Sequence, residues 1–168
     1  MKTIIRLVSK EDAESLFALV EAGRERLRPW LPWVDKTTTL RDVEEFVSRV
    51  TEERERGESV HFVILDEGEV SGVVGAHRID EKKRVAEIGY WLRIESEGKG
   101  VVTLSCEQLI KVLFESYKID TIEIRAMTGN ERSQNVAAGL GFVKRGIDYS
   151  SQYIFTMSRA CYYDRNTA

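Results

Sequence analysis

The hydrophobic spacing of this chain switches repeatedly between a period of two and a period near 3.6, and the switches outline alternating strands and helices. Residues 3–8 (TIIRLV) read as a first strand. Ser9-Lys-Glu-Asp12 has the S-x-x-[DE] form of a capping box and opens a helix to about Gly23, with Leu16, Phe17, Leu19 and Val20 on its inner side. Thr39-Leu-Arg-Asp42 is a second such box. It precedes a helix to about Arg56 that turns Val43, Phe46, Val47 and Val50 inward and a densely charged face outward. Residues 60–65 and 70–79 form a hairpin around Asp66-Glu-Gly-Glu69, and residues 81–84 are a polar turn.

The chain is organised around residues 86–114. Residues 86–92 (AEIGYWL) are a β-rich run, broken by Glu95-Ser-Glu-Gly-Lys-Gly100. A helical stripe follows, with Val102, Cys106, Leu109 and Leu113 widened by Val101, Leu104 and Ile110. Residues 121–127 (TIEIRAM) alternate as a half-buried strand. Asn130 then opens a short helix that ends at Gly139, Gly141-Phe142 begins another strand, and residues 153–157 are the last one.

A chain of 168 residues fits one domain spanning its whole length. With 42% apolar and 32% charged residues it reads as a soluble globular protein. A net charge of −3 argues against a nucleic-acid partner, which would show as a basic excess, and tolerates a cationic acceptor. No apolar run approaches the roughly 18 residues of a membrane span, and no signal peptide is visible, so a cytoplasmic location is expected. Cys106 and Cys161 lack metal spacing, and neither zinc nor a disulfide framework is expected. His61 and His77 fall in different strands and are read as structural.

Gly98 and Gly100 leave backbone N–H groups uncovered at the positive end of the helix that follows, an arrangement that binds phosphate. The sequence contains neither G-x-x-x-x-G-K-[ST] nor G-x-G-x-x-G, which removes the P-loop and the dinucleotide fingerprint. AEIGYWL, then Gly98-Lys99-Gly100 and a helix, resembles the acyl-CoA pyrophosphate turn of the GCN5-related N-acetyltransferases, in the branch that acetylates ribosomal-protein N-termini. Glu95 stands where that superfamily usually has Gln or Arg. The N-x-x-S-x-x-V-A-x-x-x-G-F run of residues 130–142 and the Pro-Trp-Leu-Pro-Trp segment ending at Trp33 are similar to the same branch.

The resemblance implies an α/β domain with a central, mostly antiparallel twisted sheet of about seven strands flanked by about four helices. It implies acetyl-CoA as donor, gripped by Gly98, Lys99, Gly100, Val101, Val102 and Thr103. The pantetheine arm would lie along Tyr90, Trp91 and Leu92 and bond Asn130, with no metal required. Trp30 and Trp33 would wall the acceptor groove, and at least one of them is also expected to plug one end of the core, since the two readings can both hold. Glu87 is the candidate base, with a structural hydrogen-bonding role as its even rival and Asp148 in reserve. Ser133 is the candidate acid, and direct attack in a ternary complex is expected because Cys106 has no basic partner in view. Neutralising an α-amine of pKa about 7.8 at pH 7 costs roughly 1 kcal/mol, against roughly 4–5 for a lysine near 10.4. With no strong base assured, a protein N-terminus is the expected acceptor. A small-molecule amine, or a non-catalytic acyl-CoA-binding module, is the alternative, and homodimer formation is left open.

Overall fold

The alternation in TIEIRAM becomes a strand in which every second side chain is buried, and the same device recurs across one sheet. In a computed structural model that describes residues 2–166, the strands are β1 (Thr3–Leu7), β2 (Val60–Asp66), β3 (Glu69–Asp80), β4 (Val85–Leu92), β5 (Thr121–Met127), β6 (Val143–Ile147) and β7 (Gln152–Ser158). They lie in the order β1-β2-β3-β4-β5-β7-β6. Every neighbouring pair is antiparallel except β4 with β5. The helices are α1 (Ala13–Leu27), α2 (Leu40–Glu55), α3 (Val101–Glu115), α4 (Glu131–Gly139) and α5 (Arg159–Asn166).

Two hydrophobic layers follow from strand alternation. On one face, α3 buries Val101, Cys106, Leu109, Ile110, Leu113 and Phe114 against Val74, Ala86, Ile88, Ile122 and Ile124 of the sheet. On the other, α1 and α2 set Leu16, Val43 and Val47 against Val63 and Val73. The expected boxes are present at both helix starts. Thr39 and Asp42 cap α2 reciprocally, whereas the Ser9–Asp12 box first closes one 3₁₀ turn, Lys10–Asp12, before α1 begins.

α1 runs past Gly23 to Leu27, because Leu27 is buried in a small cluster with Val20 and Val34 and rewards the extra turn. The sequence pattern also missed α5. Its residues carry no clean apolar stripe, and it is tied down instead by polar bonds: Arg159 donates to Phe114 O and Ile119 O, and Arg165 to Leu140 O.

What positions the site is the parallel pair. β4 and β5 are in register only from Val85 opposite Thr121 to Ile88 opposite Ile124. Beyond that, β4 continues on β3 as far as Leu92 opposite Gly72, and β5 on β7 as far as Met127 opposite Gln152. The two strands part while each keeps its other neighbour, so a gap opens between them in mid-sheet.

Leu109 is fully buried at the centre of the α3 face. We expect Leu109→Ala to cost about 2–5 kcal/mol, read in urea unfolding as a lower midpoint at unchanged slope. A loss under about 1 kcal/mol would show that α3 is not the keystone of this layer.

Candidate active site

The gap leads directly into the glycine turn. Glu97 N–H donates to Ile94 O and Leu104 N–H to Gly100 O. Between them, none of the six N–H groups of residues 98–103 has a protein acceptor among the described residues. Gly98 and Gly100 sit at φ 71° and 75°, the left-handed region, with open space where a side chain would start. Gly100 is the N-cap of α3 and supplies no side-chain cap. The turn thus presents uncovered donors at a helix's positive end, an arrangement suited to an anion.

It is also rigidly held. Arg93 N–H donates to Ser71 O at 2.7 Å, and Ser96 Oγ donates to the buried Asp66 at 2.7 Å while accepting from Arg93 Nε. Glu97 is clasped by Arg26 of α1 and Arg132 in the first turn of α4, each at 2.5 Å. These two ion pairs draw α1 and α4 to opposite sides of the turn. Lys99 and Val102–Thr103 lie on the exposed or half-buried rim, whereas Val101 is anchored in the core.

Strand alternation assigns the free edge of β4. Arg93 N–H points to β3, while Leu92 O points away and accepts from Arg26 at 2.7 Å. The N–H groups of Tyr90 and Leu92 therefore face the gap that β5 has left. Trp91 alternates to the other face, beneath α1 and α2.

Across the gap, Asn130 Oδ1 accepts from Ser133 N–H at 3.2 Å and caps α4. Tyr90 Oη lies 3.0 Å from Ser133 O and 3.1 Å from Ser133 Oγ. If the phenol donates to the carbonyl, the serine hydroxyl donates back to the phenol. Burial pushes the Tyr90 phenol well above its ordinary range, so it stays protonated.

The other end of the groove is built on rigid aromatics. Trp33 and Trp91 stack at 5.9 Å between centroids, tilted 55°. The Trp30 ring reaches across to Gly129, where a Cβ would lie 3.7 Å from it. Both tryptophans of the loop remain more than a third exposed (39% and 38%); the plug is Val34, which is fully buried. Arg24, which the sequence did not single out, fixes this loop by donating to Val34 O and Thr37 O.

Glu87 lies on the floor between the two ends. Its carboxylate is 3.1 Å from His77 Nε2, 3.4 Å from Arg125 Nε and 3.8 Å from Arg78 Nη1. The His77 hydrogen bond and these cations hold it below the usual carboxylate range despite half burial. Arg125 also pairs with Asp148 at 2.9 Å and Glu123 at 3.2 Å. Asp148 further accepts from Ser150 N–H and Gln152 N–H, which lower it in turn. The reserve base is thus a turn-former and a partner of Arg125.

Arg125 was legible only as a charge at an outward position of β5. Its role needed the register that sets Glu87 opposite Glu123. Gly98, Gly100, Tyr90, Ser133, Glu87 and Arg125 line one groove of about 1400 Å³ that also takes in Thr103 and His61, whereas Asp148 and Lys99 stand outside its lining. Among the described residues, no group of three or more His, Cys, Asp or Glu side chains converges as a metal site.

Known proteins share this architecture. Residues 2–143 match the family model described as the acetyltransferase (GNAT) domain. YdaF of Bacillus subtilis, named provisionally as a ribosomal N-acetyltransferase, is 31% identical over 153 residues, covering 89% of this chain and 82% of its own. A ribosomal-protein-serine acetyltransferase of Escherichia coli is 25% identical, covering 89% and 84%. Among solved structures, RimL, a ribosomal α-N-protein acetyltransferase in complex with coenzyme A, superposes with a TM-score of 0.91 at 21% identity over 96% of both chains. The chain belongs to the GNAT acetyltransferase family, and it is an N-acetyltransferase of that type.

The network around Arg125 is testable by pH. Glu87 and Asp148 have depressed pKa values, so the stability they contribute is present above the unfolded carboxylate range, near 4, and lost as pH falls through the lower folded values. Arg125→Met should therefore lower Tm more at pH 7 than at pH 3, measured by thermal unfolding of both proteins. An equal loss at both pH values would show that Arg125 acts through packing alone.

Proposed function

We propose that this protein transfers acetyl from acetyl-CoA to the N-terminal α-amine of a protein, by direct attack in a ternary complex. The observation that carries the reading is the continuity of the β4–β5 gap with the uncovered donors of residues 98–103. A phosphate-bearing thioester laid into that gap has its charged end on the turn and its arm along the free edge of β4. Gly98, Lys99, Gly100, Val101, Val102 and Thr103 take the pyrophosphate, and Asn130 bounds the arm. Coenzyme A or acetyl-CoA occupies two proteins of this fold, RimL and the microcin self-immunity acetyltransferase MccE (TM-scores 0.91 and 0.86, both at 21% identity). Likeness to a ribosomal-protein-serine acetyltransferase supports a protein N-terminus as acceptor.

The chemistry follows from the groove. An N–H on the free edge of β4 polarises the thioester carbonyl, worth most in a site that excludes water. The amine nitrogen attacks the carbonyl carbon, the C–N bond forms, and the carbonyl oxygen takes the charge. Collapse breaks C–S, Ser133 Oγ–H, held 3.1 Å from the protonated Tyr90, gives its proton to the thiolate, and the proton shed by the attacking nitrogen returns through water to the serine. An acyl-enzyme has no role, because Cys106 is sealed in the core and burial raises its thiol.

The acceptor class rests on basicity. Both acidic candidates are tied in ion pairs and held low, so neither can readily strip a lysine near pKa 10.4, whereas an α-amine near 7.8 needs little help. Trp30 and Trp33 supply the apolar walls for the first residues of a peptide.

Two measurements test this. A peptide should lose reactivity when its N-terminus is blocked and keep it when its lysines are methylated; the reverse pattern would refute the acceptor assignment. Ser133→Ala should lower kcat by about 10²-fold or more at nearly unchanged acetyl-CoA KM, the signature of an interaction made only in the transition state. An unchanged kcat, with chemistry shown to be rate-limiting, would leave Ser133 as a first-turn residue of α4.

A further inference from the structure

Strand β3 carries a bulge in its pairing with β4. Ala76 faces Ile88 and Arg78 faces Glu87, which leaves His77 as the inserted residue. A bulge re-aims side chains, and here it brings His77 and Arg78 together onto the one Glu87 carboxylate. His77 is not spent on that contact. A carboxylate only accepts, so the ring nitrogen facing it, Nε2, carries the hydrogen, and Nδ1 of the neutral ring is then a bare acceptor.

Nδ1 lies over Gly89: a Cβ there would sit 3.4 Å from it. Gly89 is the first β4 residue past the last β4–β5 pair, Ile88 with Ile124. Any side chain at 89 would come between the imidazole and the point where the strands part. His77 is also nearly half exposed, at 46%, in the wall of the groove. A merely structural histidine needs neither the open nitrogen nor the glycine beneath it.

We propose that His77 Nδ1 is the proton acceptor for the attacking amine, with Glu87 a positioning residue that fixes the ring's tautomer and direction. The inference rests on the N-acetyltransferase reading above. As the C–N bond forms, the ammonium nitrogen of the tetrahedral adduct gives one proton to Nδ1. The oxyanion then re-forms the carbonyl, C–S breaks, the thiolate takes its proton from Ser133, and the imidazolium's proton passes through water to restore the serine hydroxyl. The sum is thioester plus amine to amide plus thiol, with no other reactant.

Several charged groups surround this ring. Glu87 faces it directly, and Arg78 shares that carboxylate from the same strand. Arg125 backs Glu87 from β5, and Glu53 of α2 and His61 of β2 stand on the same side of the sheet. Burial holds His61 down to about 4, so it is neutral while His77 works.

The test uses the full chain and a lysine-free peptide with a free α-amine. His77→Gln should lower kcat about 10²-fold while acetyl-CoA KM stays within about twofold. It should also remove an acidic limb from the kcat–pH profile, a limb that amine ionisation alone would leave in both proteins. Glu87→Gln should lower kcat at nearly unchanged acetyl-CoA KM and weaken the preference for the Nε2–H tautomer, because the ring loses the acceptor that fixes it. The chain has two histidines, so ¹⁵N spectra of wild type and of His61→Asn assign the His77 ring, which should be the Nε2–H tautomer at pH 8. A superimposable kcat–pH profile for His77→Gln, or an Nδ1–H tautomer, overturns the proposal even if the variant folds poorly. Active wild type with an equally active His77→Gln refutes this inference alone. Wild type inactive on every amine would refute the acetyltransferase reading and this one together.

Discussion

The loss of register between β4 and β5 is the constraint on which everything else depends. A parallel pair held by four residues on each strand is short. It persists because both strands are fully paired on their other edges and buried on the α3 side. Where it ends, backbone groups that a sheet would normally consume become available, and unmade backbone donors are valuable only beside a ligand that can use them. The same divergence makes room for the glycine turn to present six further donors. One local irregularity therefore supplies both the cleft and its polar lining.

The two faces of the sheet divide the work. The α3 face is nearly all apolar and carries the stability, so it tolerates little change. The α1–α2 face is apolar only at its far end. Toward β5 it gives way to His77, Glu87, Arg125 and Asp148, in which each carboxylate meets at least one cation. Such a network restrains its members' charge states, and it leaves His77 Nδ1 as an acceptor open to the groove. Arg26 of α1 and Arg132 of α4 each pair with Glu97 and tie helices from both faces of the sheet to the glycine turn.

Much of this was legible in the chain. Period-two and period-3.6 patterns located β5 to the residue and α2 and α4 almost so, because their caps, Thr39 and Asn130, are local and chemical. Gly98 and Gly100 betrayed the turn through their φ requirement alone. Other features were hidden for physical reasons. The bulge at His77 depends on how two strands pair, which the spacing of one strand does not encode. Arg125 looked like a solvent charge until the register of β4 on β5 put Glu87 beside it. Gly23 suggested a helix end, but burial of Leu27 outweighed one glycine, a penalty of about 1 kcal/mol. Trp30 and Trp33 suggested both a groove wall and a plug; each stays more than a third exposed, and the buried member of the loop is Val34.

The central claim is that the glycine turn at the mouth of the β4–β5 gap holds the pyrophosphate of acetyl-CoA. Calorimetric titration of acetyl-CoA into wild type and Gly100→Asp tests it most directly. The substitution places a carboxylate where phosphate should sit and a side chain where φ is 75°. A control titration with Gly68→Asp, a hairpin glycine at φ 90° with open space around it, separates backbone strain from loss of the site. The account predicts micromolar-range binding to wild type and to the hairpin variant, and at least about a hundredfold weaker binding to Gly100→Asp, a difference of roughly 2.7 kcal/mol. Equal affinities for all three would contradict it.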